Sequence, residues 1–381
     1  IELRATDVHI EPFEGELRVR YRVDGVLQQT SVASEVKQFQ PAIVSRLKIL
    51  SKLDIAEKRV PQDGRIKIRI ADREVDVRVS VIPMLYGEAI VLRLLDRGSV
   101  LLGLEKLGMS ARDRRIMNNI LTRPHGIILV TGPTGSGKTT TLYASLAQIN
   151  EIDRKIITIE DPIEYQLFGI NQIQVARKAG LTFSNGLRAI LRHDPDVVLI
   201  GEIRDVETAE IAVQASLTGH LVFSTLHTND APSAMTRLVD MGVEPYLVAS
   251  SLEAVIAQRL IRLICPHCKI EMPDSEVEPL RHQFTNLPDV LYYGKGCRHC
   301  QGTGYAGRQG IFEMMVITEE LRAMILENAS SQVLRKLAAS QGMLSLREDG
   351  MRHLAEGTTT IKEIMRVTKD EQLERGTHGV Y

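Results

Sequence analysis

The segment Gly132-Pro133-Thr134-Gly135-Ser136-Gly137-Lys138-Thr139 restricts what this chain can fold into more than any other stretch. It directly follows a short apolar, β-branched run, Ile127 to Thr131, and a helical pattern extends from Lys138 to about Gln148. A strand, a loop of the form G-x-x-x-x-G-K-T and a helix, in that order, make a cradle whose backbone N–H groups can crowd around phosphate oxygens. The helix N-terminus adds the positive end of its dipole. Lys138 is expected to reach the β and γ phosphates of ATP, Thr139 to hold Mg²⁺, and Thr140 to complete the binding segment. The plain alternative is a glycine-rich turn before a helix. Motif and context together argue against it.

Around this loop the chain alternates short apolar strands with helices. Strands are expected at Lys155 to Ile159, Val197 to Ile200 and Leu221 to Ser224. Runs this short and this uniformly apolar suit a parallel sheet buried on both faces. Carboxylates at the C-terminal ends of such strands face the ligand crevice. Two places qualify: Glu160, with Asp161 beside it, and Glu202. Either could instead be a solvated surface acid. Gly201 stands where an aspartate closes the strand in many phosphate-loop proteins. His220 and His227 flank the strand at Leu221 to Ser224, and a γ-phosphate-sensing role fits them better than general-base work, since a carboxylate is at hand.

The first hundred residues read differently. Leu17, Val19, Tyr21 and Val23 interleave with arginines, Asp24-Gly25 marks a turn, and Val26-Leu27 opens a second strand. A helix is expected over 38 to 53. Ile66, Ile68 and Ile70 form another alternating strand, Asp72-Arg73 a turn, and Val75, Val77 and Val79 a third. This is a small α+β domain, with a linker at Gly98 to Leu102. It is rich in arginine, and phosphoryl transfer gains from a guanidinium set against the γ-phosphate. Most such arginines are solvated strand faces.

The chain has 381 residues, enough for two or three domains. Lys plus Arg is 47 and Asp plus Glu 48, a balance that gives no general reason to expect nucleic-acid binding. No apolar run approaches a membrane span, and no signal peptide is visible. The chain opens on Ile1 already in patterned sequence, so an N-terminal part is expected to be missing.

All four cysteines fall in two pairs, Cys265-Pro266-His267-Cys268 and Cys297-Arg298-His299-Cys300. Four thiolates in two knuckles suit a tetrahedral, structural Zn²⁺. The 28 residues from 269 to 296 exceed the ~15–20 of common ribbons, and an insertion can loop out. Redox use of the pairs is the competing reading. Beyond Thr318 the chain is helical, Thr360-Ile361-Lys362-Glu363 fits a capping box, and the end from about Arg375 is expected to fray.

Taken together, the motifs resemble the secretion ATPases of type II secretion and type IV pilus assembly. The matching stretches are Ala5 to Glu11, Leu53 to Arg65, the glycine loop, Ile159 to Glu164 (like the family's Asp box), Gly201 to Asp205 (its Walker B) and Gly219 to Asn229 (its His box). The resemblance implies a RecA-like nucleotide-binding core over 99–264, an N-terminal α+β domain over 1–98, a four-cysteine zinc module over 265–310 and a C-terminal helical part over 311–381. It implies a homohexameric ATP hydrolase, cytoplasmic and peripheral at the inner membrane. Its partners would be the platform and cytoplasmic-domain components of the machine, with acidic phospholipid a further one and no nucleic acid. ATP would bind between the two domains and be completed by Arg78 and Arg93, with Arg204 a further match. Glu202 would place Mg²⁺ and water, and Glu160 would be the general base. The cysteine module points to an assembly motor rather than a retraction motor, and Arg123 to Val130 to the type II branch. Pilus assembly, a nucleic-acid translocase and a zinc-stabilised scaffold with an inactive nucleotide site are the alternatives.

Overall fold

The computed structural model describes residues 3–30, 33–70, 73–96, 102–284 and 287–369. Asp72, most of the expected linker (98–101) and the end from Arg375 lie outside the described residues. The chain divides into two compact units, Ile1–Val100 and Leu101–Tyr381.

In the first unit, β1 (Ala5–Pro12), β2 (Leu17–Val23), β3 (Val26–Thr30), β4 (Gln62–Ile70), β5 (Arg73–Met84) and β6 (Gly87–Asp96) form one antiparallel sheet in the order β3-β2-β1-β6-β5-β4. Asp24 (φ 48°) and Gly25 (φ 82°) both take left-handed conformations, as a two-residue hairpin between right-twisted strands requires. The expected helix is present as Gln40–Leu50. Val75, Val77, Val79, Val81 and Ile90 pack on Val44 and Ile66, so one face of the alternating strands is the core. Lys48 is fully buried, its ammonium 2.5 Å from Glu88 and donating to the Glu57 carbonyl at 2.6 Å.

The second unit is a layered α/β fold. Its strands are β7 (Gly126–Thr131), β8 (Ile156–Glu160), β9 (Asn171–Gln174), β10 (Val197–Ile200), β11 (Leu221–Leu226), β12 (Leu252–Ile264), β13 (Lys269–Glu271), β14 (Tyr292–Gly294) and β15 (Tyr305–Val316). Seven of them order as β15-β12-β7-β11-β10-β8-β9, parallel except for the β12–β15 pair. Ile127 and Leu129 enter one apolar layer and Ile128 and Val130 the other; Val198 and Ile200 part from Val197 and Leu199 in the same way. That two-sided burial is why these strands show no alternation in sequence. Helices Ala111–Leu121 and Lys138–Gln148 cover one face; Phe183–Ile190, Val206–Leu217 and Pro232–Asp240 cover the other.

The four-cysteine segment is an insertion between two paired strands. β12 leads into it and β15 leads out, and β13 and β14 form a small sheet of their own inside it. Val277 and Leu291 pack on Leu354, Ile361 and Ile364 of the C-terminal helices. Among the described residues, no helix is long and apolar enough to cross a membrane.

One expectation is corrected. Thr360 does cap its helix, accepting from the Glu363 N–H, but the Glu363 carboxylate does not return. It is drawn instead to the guanidiniums of Arg262 (2.8 Å) and Arg366 (2.6 Å), charged donors that bind it more strongly than a neutral N–H, and also accepts the Arg262 N–H (3.0 Å). The reciprocal box forms at Ser345 and Glu348, where both bonds are made. Ser345→Ala is expected to cost the helix Leu346–Ala355 about 1 kcal/mol, read as a matching loss of hydrogen-exchange protection confined to its amides.

Candidate active site

The parallel strands deliver their C-terminal ends to one edge of the sheet, and the glycine loop starts there, directly after β7. Gly132 (φ 144°) and Gly137 (φ 91°) hold conformations that side chains resist. A Cβ at Gly132 would lie 2.6 Å from the Gln258 carbonyl oxygen and 2.7 Å from Ser136 Oγ, and one at Gly137 would lie 2.7 Å from Gln258 Nε2. The loop is therefore pressed against β12. Ser136 Oγ is buried and has no hydrogen-bond partner. An unmet buried hydroxyl, a glycine cradle and a helix N-terminus fit a polyphosphate chain held by residues 132–140. Lys138 donates to the carbonyls of Gly132 (2.7 Å) and Pro133 (3.1 Å). Burial pushes its ammonium down to about 8, with the Glu202 charge opposing and Arg259 reinforcing the shift.

Three further candidates converge on this edge. Glu160 ends β8 and is buried. Its carboxylate accepts from the Tyr143 hydroxyl, from Thr158 Oγ1 (2.6 Å) and from Gln172 Nε2 (3.2 Å). Burial first, and the Glu160 charge second, raise the Tyr143 phenol well above its ordinary range. Glu202 follows β10, accepts from Arg204 Nε at 2.6 Å and lies 3.5 Å from His227 Nε2. His227 follows β11. Gly201 has a steric reason: a Cβ there would lie 3.3 Å from both Glu160 Cα and the Ile159 carbonyl oxygen. His220 is not brought to this edge. It precedes β11, its Nδ1 lies 2.8 Å from the Ala215 carbonyl oxygen, and its own carbonyl accepts from the N–H of Gly126 at the start of β7. A strand of six residues, about 20 Å, separates it from the loop.

Two residues missed in the sequence belong here. Gln258 Oε1 accepts from Thr141 Oγ1 (2.7 Å), and the Arg259 guanidinium donates to the Asn229 carbonyl (2.9 Å) while lying 3.1 Å from where a Gly132 side chain would start. Their signal was a polar pair inside the otherwise apolar stretch Ala254 to Ile261. Arg204, noted only as a match, is the Glu202 partner.

In the first unit, Arg78 and Arg93 face each other across β5 and β6. The row continues to Arg65 on one side and to Asp7 and Arg22 on the other. Arg93 Nε donates to Asp7 at 2.9 Å. Burial alone would raise the Asp7 carboxyl; the bonds from Arg93 and Thr6 and the charges of Arg93 and Arg22 together outweigh it and hold the group below its usual range. Four arginines thus line up in this row around Asp7, on a face that also carries Glu11, Asp63 and Asp76.

The sulfurs of Cys265, Cys268, Cys297 and Cys300 lie within 4.8 Å of one another, with separations of 3.9, 3.8 and 3.7 Å among them. A tetrahedral ion with sulfur ligands at ~2.3 Å needs edges of about 3.8 Å. The N–H groups of Cys297 (3.2 Å) and Gly304 (3.3 Å) point at Cys300 Sγ. Burial would raise that thiol, and these donors hold it below the ordinary range, as a thiolate ligand requires. The cluster can hold a metal ion.

A parallel sheet with a phosphate-binding loop and two carboxylates at its carboxyl edge is the core of a P-loop ATPase. The model of the Type II/IV secretion system protein family matches residues 1–366, and the chain belongs to that family. It is 54% identical over 372 residues to the type II secretion system protein E of Pseudomonas aeruginosa, covering 97% of this chain and 74% of that protein. It is 52% identical over 367 residues to the type II secretion system ATPase E of Vibrio cholerae, covering 96% and 72%. Among solved structures, the Legionella pneumophila ATPase DotB superposes with a TM-score of 0.68 at 22% identity, over 97% of this chain and 92% of that one. The pilus retraction motor PilT with bound ADP gives 0.63 at 27% identity, over 98% and 96%.

With Lys138 as the expected phosphate contact, nucleotide affinity is expected to weaken as pH rises through about 8, approaching tenfold per unit above it. Titration with a fluorescent ATP analogue from pH 7 to 9.5 checks this, and Lys138→Met, weak throughout, should show no such slope.

Proposed function

We propose that this chain is the motor that hydrolyses ATP to drive pseudopilus assembly for type II protein secretion. It works as a homohexamer in the cytoplasm, held at the inner membrane by the platform and cytoplasmic-domain components of the machine, with acidic phospholipid as a further contact. The observation that carries this reading is the convergence of Lys138, Glu160, Glu202 and His227 on one sheet edge, in a chain more than half identical to type II relatives over nearly its whole length. Type IV pilus assembly is the second reading; the type II relatives at more than half identity favour the first.

In this mechanism residues 132–140 hold the phosphates, and Lys138 exchanges its loop carbonyls for phosphate oxygens. Thr139 and Glu202 would hold Mg²⁺, which would neutralise charge on the transferred phosphoryl group. Glu160 acts as general base. A carboxylate offers about four lone-pair sites, and three are engaged by Tyr143, Thr158 and Gln172, so the group is fixed in place with one site left for a water proton. Arg78 and Arg93 supply guanidinium charge against the γ-phosphate. His227 reports on the site through Glu202. His220 takes no part, given its place at the far edge. The four sulfurs hold a structural Zn²⁺ with no open position.

Lys138→Ala should lower ATP hydrolysis by about 100-fold or more and fail to restore exoprotein secretion to a strain lacking the gene. Glu160→Gln should lower turnover comparably with ATP affinity kept. Full activity of the first variant, or near-normal turnover of the second, sinks the assignment concerned, and restored piliation with secretion unaffected would favour the pilus reading. The purified protein should release one zinc per chain to a thiol-blocking reagent and colorimetric chelator, and Cys265→Ser should bind markedly less; no zinc in the native protein would refute the metal.

A further inference from the structure

Five consecutive residues after β11 each reach a different part of the second unit. His227 Nε2 lies 3.5 Å from Glu202. The Thr228 N–H donates to Thr131 Oγ1 at 2.9 Å, one residue before the glycine loop. Asn229 accepts from Arg259 of β12 at 2.9 Å. Asp230 pairs with Arg335 of the helix Ser331–Ser340 at 2.8 Å. The Ala231 N–H donates to Glu313 of β15 at 2.7 Å. A connection of this kind between strand and helix usually runs free over the surface. Here it is tied at every residue, and two of the ties lead into the C-terminal part of the chain.

We infer that Arg335 is a positioning residue for ATP hydrolysis, acting through Asp230 to set the reach of His227 and Thr228 at the nucleotide site. Arg335 bridges two carboxylates, Asp230 at 2.8 Å and the fully buried Glu313 at 3.3 Å. Glu313 in turn accepts the Ala231 N–H, so the arginine grips the segment by a side chain on one residue and, through Glu313, by the backbone of the next. Asp230 has a second fixed bond, accepting the Ser233 N–H at 2.8 Å at the start of the helix Pro232–Asp240. The segment therefore has one geometry when the Arg335 pair is made. With Arg259 holding Asn229 from the other side, a shift of the helix Ser331–Ser340 has a direct route to the Glu202–His227 contact. Neither Asp230 nor Arg335 stands within the glycine loop, so the effect falls on turnover rather than on nucleotide affinity.

The obvious deletion of Arg335 would strand the buried Glu313 and risks unfolding. Asp230→Asn is the cleaner variant: it keeps the oxygen that caps Ser233 and leaves the Arg335–Glu313 pair in place. Arg335→Lys keeps the charge and loses the fork. The test is steady-state ATP hydrolysis by the full chain, at protein concentrations where specific activity no longer rises, for both variants and their combination. Analogue affinity and thermal midpoint are measured beside it. Asp230→Asn should lower kcat about tenfold with KM and analogue affinity within about twofold and the midpoint nearly unchanged. Arg335→Lys should fall less, and the double variant should be no slower than Asp230→Asn alone, the non-additivity expected of one shared contact. A kcat within about twofold of the parent overturns the proposal, and so does a parallel loss of kcat, affinity and thermal midpoint, which marks a purely structural pair.

Discussion

Everything in the second unit depends on a sheet buried on both faces. β7, β8, β10 and β11 are four to six residues long and wholly buried. Such strands leave no room for charge along their length, because an unpaired buried charge costs several kcal/mol. Polar chemistry is displaced to their ends. Parallel alignment then gathers those ends on one edge, and that edge holds Lys138, Glu160, Glu202 and His227. The site follows from the burial pattern as much as from the motif.

That dependence explains what could be read from sequence. Short uniform apolar runs announce two-sided burial, so β7, β8, β10 and β11 were legible, with the acids Glu160 at the end of β8 and Glu202 after β10. So were the alternating strands of the first unit and the two cysteine knuckles. Other features depend on contacts between distant segments. Gln258 and Arg259 acquire their place only when β12 is laid beside β7, some 120 residues earlier in the chain. β15 was hidden because its N-terminal half is polar and follows a glycine-rich loop. Glu363 had the spacing of a capping box, and a competing arginine took it. His220 and His227 look equivalent along the chain; the direction of β11 sends them to opposite edges.

Charge is organised by the same economy in both units. Lys138 is held uncomfortably among carbonyls with its ammonium weakened by burial, and a phosphate would relieve it. In the first unit a row of four arginines runs across the sheet with Asp7 within it, on a face where arginine and lysine outnumber the acids. A surface left with excess positive charge on rigid strands is preorganised for an anion, since little reorganisation is needed when one arrives.

β12 deserves a mechanical reading. It forms the back wall of the glycine loop through Gln258 and runs on, without leaving the sheet, to Ile264 beside Cys265. Its one irregularity of pairing with β15, between Arg262 and Ile264, is pinned from outside: the Arg262 N–H to Glu363 (3.0 Å), its carbonyl to Thr359 (2.8 Å) and the Ile264 N–H to Thr358 (2.8 Å). That irregularity is thus held by the last described helix and the residues just before it. The loop contacts the middle of this strand and the sulfur cluster begins at its end. The strand that backs the phosphate-binding loop is therefore the same one that leads into the first sulfur of the cluster, so the two places share one backbone.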